Sequence, residues 1–236
     1  TLEHAPDGRR GYFASFTLQG VQPGQLLAAA VFLPLAQFMP ADDFASWGWR
    51  IPFAIGSVGA VVAMVVRRSM HESSSESARA NPLAGTLRGM LQHPRELLLV
   101  MGFTAGGSLL FYTYTSYMQK YMVNTAHMDP KAASSVMTGA LFIFMCAQPL
   151  FGMLSDRIGR RAQMIAFSAF FVVATVPLLT KLGNTSDPWT AFGLILFALL
   201  GMSLYTSISG LLKAELFPAG VRALGVGLPY AVANAA

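Results

Sequence analysis

The sequence predicts an all-α membrane protein built on two six-helix bundles, of which this chain carries about seven helices. Three observations lead there: a composition poor in charge, six apolar runs close to spanning length, and a short motif that recurs with six runs between its copies. Charged residues make up 11% of the 236 positions and hydrophobic residues 54%, and mean hydropathy is +0.50. A soluble domain carries about a quarter charged residues. Too few charges remain here to cover a surface in water, so lipid is the expected solvent for much of the chain. The net charge of +5 is spread through linkers rather than gathered on one patch, which argues against nucleic acid as a partner. Cys146 is the single cysteine; it allows neither an internal disulfide nor a thiolate metal cluster. The chain opens at Thr1 and closes within an apolar stretch, so a longer native protein is expected.

A spanning helix needs about 20 largely apolar residues. Runs at 12–38, 51–66, 96–118, 132–154, 162–180 and 189–212 are read as spans, and a seventh starts near 222. In the first run Gln19, Gln22 and Gln25 are spaced three apart. Amides in hydrocarbon need partners, so they either line a cavity or bridge to other helices. Pro23 and Gly24 predict a kink there. The second run is short, with Trp47 and Trp49 as interfacial anchors at its start. Arg50 follows them and either snorkels to the interface or meets a substrate.

The third run holds Thr104, Ser108, Tyr112, Thr115 and Gln119, spaced by threes and fours. In a regular helix they share one face. Such a stripe faces either a watery cavity or a neighbouring helix through Ser/Thr hydrogen bonds; the bulk of tyrosine and glutamine favours the cavity. In the sixth run Ser203, Thr206, Ser207 and Gly210 also share a face, open to both readings. Gly106-Gly107 and Gly225-Val226-Gly227 lie in apolar runs and predict close helix packing.

Basic residues set the orientation. Linkers 1–11, 67–95, 155–161 and 213–222 hold Arg9, Arg10, Arg67, Arg68, Arg79, Arg88, Arg95, Arg157, Arg160, Arg161, Lys213 and Arg222; the alternate linkers hold Arg50, Lys120, Lys131 and Lys181. The first set is therefore expected on the cytoplasmic side. The longest linker, punctuated by Asn81-Pro82 and His93-Pro94, divides the chain into 1–66, the end of one helical bundle; 67–95, a central cytoplasmic loop; and 96–236, a second bundle. Glu3-x-x-Pro6-x-x-x-Arg10 recurs as Glu215-x-x-Pro218-x-x-x-Arg222, each copy leading from a cytoplasmic linker into a helix. Six spans between copies on one side imply two six-helix halves related by a parallel repeat.

His4, His71, His93 and His127 fall in linkers without metal-site spacing, so no metal is expected. No nucleophile–base pair or nucleotide loop is present, and an enzyme is not expected. An anionic substrate needs donors; the basic candidates are Arg50, Lys120 and Lys213. Glu96, Asp156 and Glu215 all sit at cytoplasmic ends of spans, so no carboxylate stands out for proton coupling. Asp156 with Arg157, Arg160 and Arg161 can form a charge cluster, and Asp156 can also cap a neighbouring helix N-terminus.

Gly152-Met-Leu-Ser155-Asp156-Arg157-Ile-Gly159-Arg160-Arg161 resembles the cytoplasmic-loop signature of the major facilitator superfamily. Trp47-Gly-Trp49-Arg50-Ile51-Pro52-Phe53 and the opening Glu3-x-x-Pro6-x-x-Arg9-Arg10-Gly11 resemble its metabolite:proton symporter branch. The runs Phe111 to Tyr121, Tyr205 to Gly210 and Lys213 to Pro218 are similar to the alpha-ketoglutarate permeases of that branch. The resemblance implies that the spans are helices five to ten and the start of eleven of twelve. It implies proton symport of a small organic acid, 2-oxoglutarate first, with citrate, shikimate or proline/betaine as rivals, and a non-transporting membrane sensor on the same fold as a more distant one. It further implies that the 96–118 and 189–212 spans line the path, with Arg50, Tyr112, Thr115, Gln119, Lys120 and Ser207 as substrate contacts. Asp156, Arg157, Arg160 and Arg161, with Glu215 and Arg222, would form a latch between the halves. No cofactor is implied beyond the coupling proton. The expected partners are the organic acid and the bilayer of a bacterial inner membrane, and the expected state is a monomer.

Overall fold

The computed structural model describes residues 6, 8–19, 21–69, 85–218 and 220–235. Glu3, His4, His71, Arg79 and Asn81-Pro82 lie outside the described residues, as do the side chains of Gln19, Gln22 and Gln25. The described chain is helical, with no strand among the described residues. In order the helices are α1 (Arg10–Gln19), α2 (Val21–Phe38), α3 (Arg50–Ser69), α4 (Leu87–Leu91), α5 (Pro94–Tyr112), α6 (Met118–Asn124), α7 (Pro130–Ile158), α8 (Arg160–Gly183), α9 (Pro188–Thr206), α10 (Ser209–Leu216) and α11 (Arg222–Ala235). A short helical turn, Ala41–Asp43, and a π-helical turn, Phe44–Gly48, lead into α3; a second π-helical turn, Thr113–Tyr117, joins α5 to α6.

Among the described residues, five helical segments are long and apolar enough to cross a membrane: Phe44–Arg68, Pro94–Asn124, Pro130–Ile158, Arg160–Gly183 and Pro188–Leu216. They correspond to the second through sixth expected spans, each extended at one or both ends. The first expected span is instead two helices, α1 and α2. The seventh, α11, has 14 residues.

Helix starts follow local chemistry. Asp129 caps α7 by accepting from the backbone N–H of Lys131 and Ala132 at 3.0 and 3.1 Å. Asp187 caps α9 by accepting from the backbone N–H and hydroxyl of Thr190 at 2.8 and 2.6 Å. Each cap is followed by proline at the first helical position, where a missing N–H is no loss. The Thr190 hydroxyl, then its N–H, hold the Asp187 carboxyl below the ordinary aspartate range. Between α7 and α8 the chain reverses at Gly159, with φ 84° and ψ 151°, a conformation that is essentially glycine's alone.

The chain divides into two compact units, Thr1–Gln22 with Ser77–Ala236, and Pro23–Glu76. Helix α1 groups with the later helices in this division. In the smaller unit, Phe53 to Arg68 are all exposed, an apolar surface that suits lipid or neighbouring helices and not water. In the larger unit α9 lies at the centre, with Ala191, Ile195, Ala198, Leu199 and Met202 fully buried. It packs on α7 and α8, while α1 lies along α7 and α11 along α5. The buried face of α7 runs Ala133, Val136, Met137, Ala140, Phe144, Ala147, Gly152 and Ser155, the three-and-four spacing of a packed helix.

Candidate functional site

The polar stripe of the 96–118 run does not stay on one face: Thr104, before the π-helical turn at Thr113–Tyr117, and Thr115, within it, are buried, while Tyr112 is exposed. Tyr112 and Lys120 line one open cavity of about 480 Å³ with Ser108, Thr113, Ser116 and Tyr117. Thr115 is turned the other way: it is 6% exposed and its hydroxyl donates to Phe111 O at 2.7 Å. Thr104 is fully buried with no hydrogen-bond partner among the described residues. Gln119 is exposed but is not part of the cavity lining.

Ser207 lies inside the helix packing, 1% exposed. The Nε2 of Gln163 donates to Leu204 O at 2.8 Å and is shared between Ser207 Oγ at 3.1 Å and Phe151 O at 3.3 Å. One turn earlier Gln148 Nε2 donates to Ser203 Oγ at 3.2 Å, and Thr206 Oγ1 donates to Gln148 Oε1 at 3.0 Å. The polar face of α9 is therefore an interhelical network with α7 and α8, of the kind buried amides require. Sequence reasoning missed Gln148 and Gln163. The signal was the one applied to Gln19, Gln22 and Gln25: an amide within an apolar span must find a partner.

Arg50 belongs to the smaller unit. It is exposed, and its guanidinium carbon lies 5.3 Å from the centroid of the Trp49 ring, a cation–π contact suited to an interface.

Five residues of the Gly152 to Arg161 motif take visible roles. Gly152 lets α1 approach α7: a Cβ there would come within 2.6 Å of Gly11 O, and one on Gly11 within 2.6 Å of Gly152 O. At that contact Asp156 caps α1, its Oδ1 accepting from Gly11 N–H at 2.7 Å and its Oδ2 from Tyr12 N–H at 3.0 Å. A carboxylate is favoured there by the N–H groups and the helix dipole. Gly159 makes the turn, and Arg160 Nη2 pairs with Glu215 Oε1 at 3.0 Å, tying α8 to α10. Arg157 lines an open cavity of about 490 Å³ with Arg9, Tyr12 and Asp156. Arg161 is exposed. Arg222 Nε donates to Phe217 O at 3.4 Å at the start of α11. Lys213 lies not in an exposed linker but buried near the end of α10, its Nζ 5.7 Å from the Tyr205 ring centroid and 5.4 Å from that of Tyr230.

No group of three or more His, Cys, Asp or Glu able to hold a metal ion occurs among the described residues.

Comparison with known proteins places this arrangement. Residues 13–236 match the Major Facilitator Superfamily. The chain is 55% identical over 233 residues to the alpha-ketoglutarate permease of Escherichia coli (strain K12), covering 99% of this chain and 54% of that protein. It is 30% identical to the inner membrane metabolite transport protein YhjE of the same strain, over 98% of this chain and 54% of that protein. It is 28% identical to the citrate-proton symporter of Klebsiella pneumoniae, over 99% of this chain and 53% of that protein. The chain thus spans about half the length of the curated relatives it matches. No solved structure gives a significant match. With the match extending over nearly the whole chain and helices long enough to span a bilayer, this chain belongs to the major facilitator superfamily.

Proposed function

We propose that the chain is part of a proton-coupled symporter of a small dicarboxylate, 2-oxoglutarate, working by alternating access in a bacterial inner membrane. The 55% identity to an alpha-ketoglutarate permease across 99% of the chain is the observation that carries the substrate. Proton coupling is supported by the citrate-proton symporter among the relatives. In the structure, the reading draws on the cavity beside α5 and α6, where Lys120 is a cation among tyrosine, serine and threonine hydroxyls. Hydroxyls and an ammonium are donors that a carboxylate accepts from. Tyr112 and Lys120 are the first candidates for substrate contact; Gln119 and Arg50 are exposed and remain candidates, while Thr115 and Ser207 would support the site from within the packing. Residues 1–66 would close one bundle, 67–95 link it to the next, and 96–236 form most of the second. The Asp156 cap and the Arg160–Glu215 pair would act as the latch that breaks and re-forms as the bundles rock.

The test is uptake of labelled 2-oxoglutarate by cells that lack their own dicarboxylate uptake and express the complete gene. Uptake that collapses with a protonophore and is competed by close dicarboxylates supports the reading. Uptake competed instead by citrate, shikimate, proline or betaine reassigns the substrate. No uptake of any of them, in a protein shown to reach the membrane, overturns the transport reading.

A further inference from the structure

We propose that Lys213 is a carboxylate-binding cation of the transport path, held at the junction of α5, α9, α10 and α11 for an organic anion that docks from the side of Tyr230. The proposal rests on the reading of the protein as an organic-anion carrier. Lys213 is 6% exposed, and no carboxylate lies within 4.0 Å of its ammonium among the described residues. An ammonium largely withdrawn from water without a counter-ion is unfavourable. What surrounds it is aromatic: the faces of Tyr205 and Tyr230, from two different helices. Ring faces attract a cation but carry no net negative charge, so its capacity for an anion is unspent. Glu215, two residues along the helix, projects to a different side and is already paired with Arg160.

The two rings are held differently. The Tyr205 hydroxyl donates to Phe103 O at 2.9 Å, and its ring lies where a Cβ on Gly107 would stand, so it is fixed against α5. Tyr230 is 49% exposed and forms the open side. An anion passing Tyr230 takes up the ammonium's N–H donors as a charge-assisted pair, while Tyr205 keeps the lysine in place. A single ammonium suits one carboxylate, leaving the second carboxylate of a dicarboxylate for other donors. Lys120 lies on the Pro94–Asn124 segment beyond the π-helical turn, whereas the Lys213 pocket meets the same segment at Phe103 and Gly107. The path would thus offer an anion two stations at different levels. The competing role for Lys213 is structural, an ammonium held by the carbonyl end of α10.

The experiment uses the complete protein with Lys213→Cys in a background free of other reactive thiols, with Cys146→Ser. The proposal expects 2-oxoglutarate to slow modification of the introduced thiol by a methanethiosulfonate reagent at least several-fold. It also expects 2-aminoethyl methanethiosulfonate, which restores a cation, to recover uptake that a neutral methyl reagent does not. Lys213→Met is expected to raise KM for 2-oxoglutarate at least tenfold with a smaller change in kcat; it serves as the second measurement should the cysteine variant not reach the membrane. Substrate protection with a KM-dominated loss supports the site. An introduced thiol that substrate does not protect, or equal recovery with the neutral reagent, or an unchanged KM in Lys213→Met, overturns it while leaving the carrier reading intact. Absence of uptake by the unmodified protein overturns the carrier reading and this site with it.

Discussion

At Asp156 one carboxylate holds two backbone N–H groups of another helix, and its value follows from the rules for caps. Asp156→Ala is expected to lower stability by about 1–2 kcal/mol, read as a lower melting temperature of the detergent-solubilised protein; Asp156→Asn, which keeps one acceptor, should lose less. The Arg160–Glu215 pair is about one-third exposed at both side chains, and pairs of that kind contribute roughly 0–1 kcal/mol. Arg160→Ala should therefore melt close to the unaltered protein, while uptake falls strongly if the pair works as a latch; loss of stability equal to loss of uptake would remove that role. Gln163 sits at the other extreme, with no exposed surface. Gln163→Leu removes a donor shared by three acceptors in the packing and is expected to cost about 1–3 kcal/mol, again read by melting. At this scale the sequence was a partial guide. It marked the motif residues by type, and left open whether Asp156 joined an arginine cluster or capped a helix. The choice depends on where α1 begins in space.

Helix contacts decide the second scale. Gly11 and Gly152 face one another with room for no side chain, so Gly152→Ala presses a methyl group onto the α1 backbone, which cannot swing aside as a side chain can. It is expected to cost about 1–3 kcal/mol. Gly102→Ala, also in a helix but with open space around the added carbon, is expected to be neutral or to stabilise by up to about 1 kcal/mol. Melting temperatures of the two variants check the pair, and equal effects would contradict the packing. The long helices were legible because hydropathy and length are local properties, and Asp129-Pro130 and Asp187-Pro188 mark two of the starts. The π-helical turn was not. Spacing arithmetic gives an angle and not what that angle meets, so it did not separate the buried Thr104 and Thr115 from Tyr112 and Lys120 on the cavity. Nor was the meaning of the α9 stripe: Ser203, Thr206 and Ser207 would look the same facing a cavity or facing Gln148 and Gln163.

For the whole molecule, the consequence of belonging to a two-bundle family is that a cavity needs walls from both bundles. The chain covers about half of its curated relatives. Vesicles carrying residues 1–236 alone are expected not to accumulate labelled 2-oxoglutarate, while those carrying the complete gene product do; accumulation by residues 1–236 alone would show that parts of two bundles suffice. The sequence by itself determined the solvent, the number and length of most spans, the family and the residues of its motif, because these depend on composition, hydropathy and short-range order. Only the tertiary structure decided that α1 packs along α7, that Asp156 caps it, that Ser207 is spent in the packing, and that Lys213 is buried between two tyrosines with no carboxylate beside it among the described residues. Those are contacts between residues far apart in the chain, set by how helix faces meet, and no local pattern encodes which faces those will be.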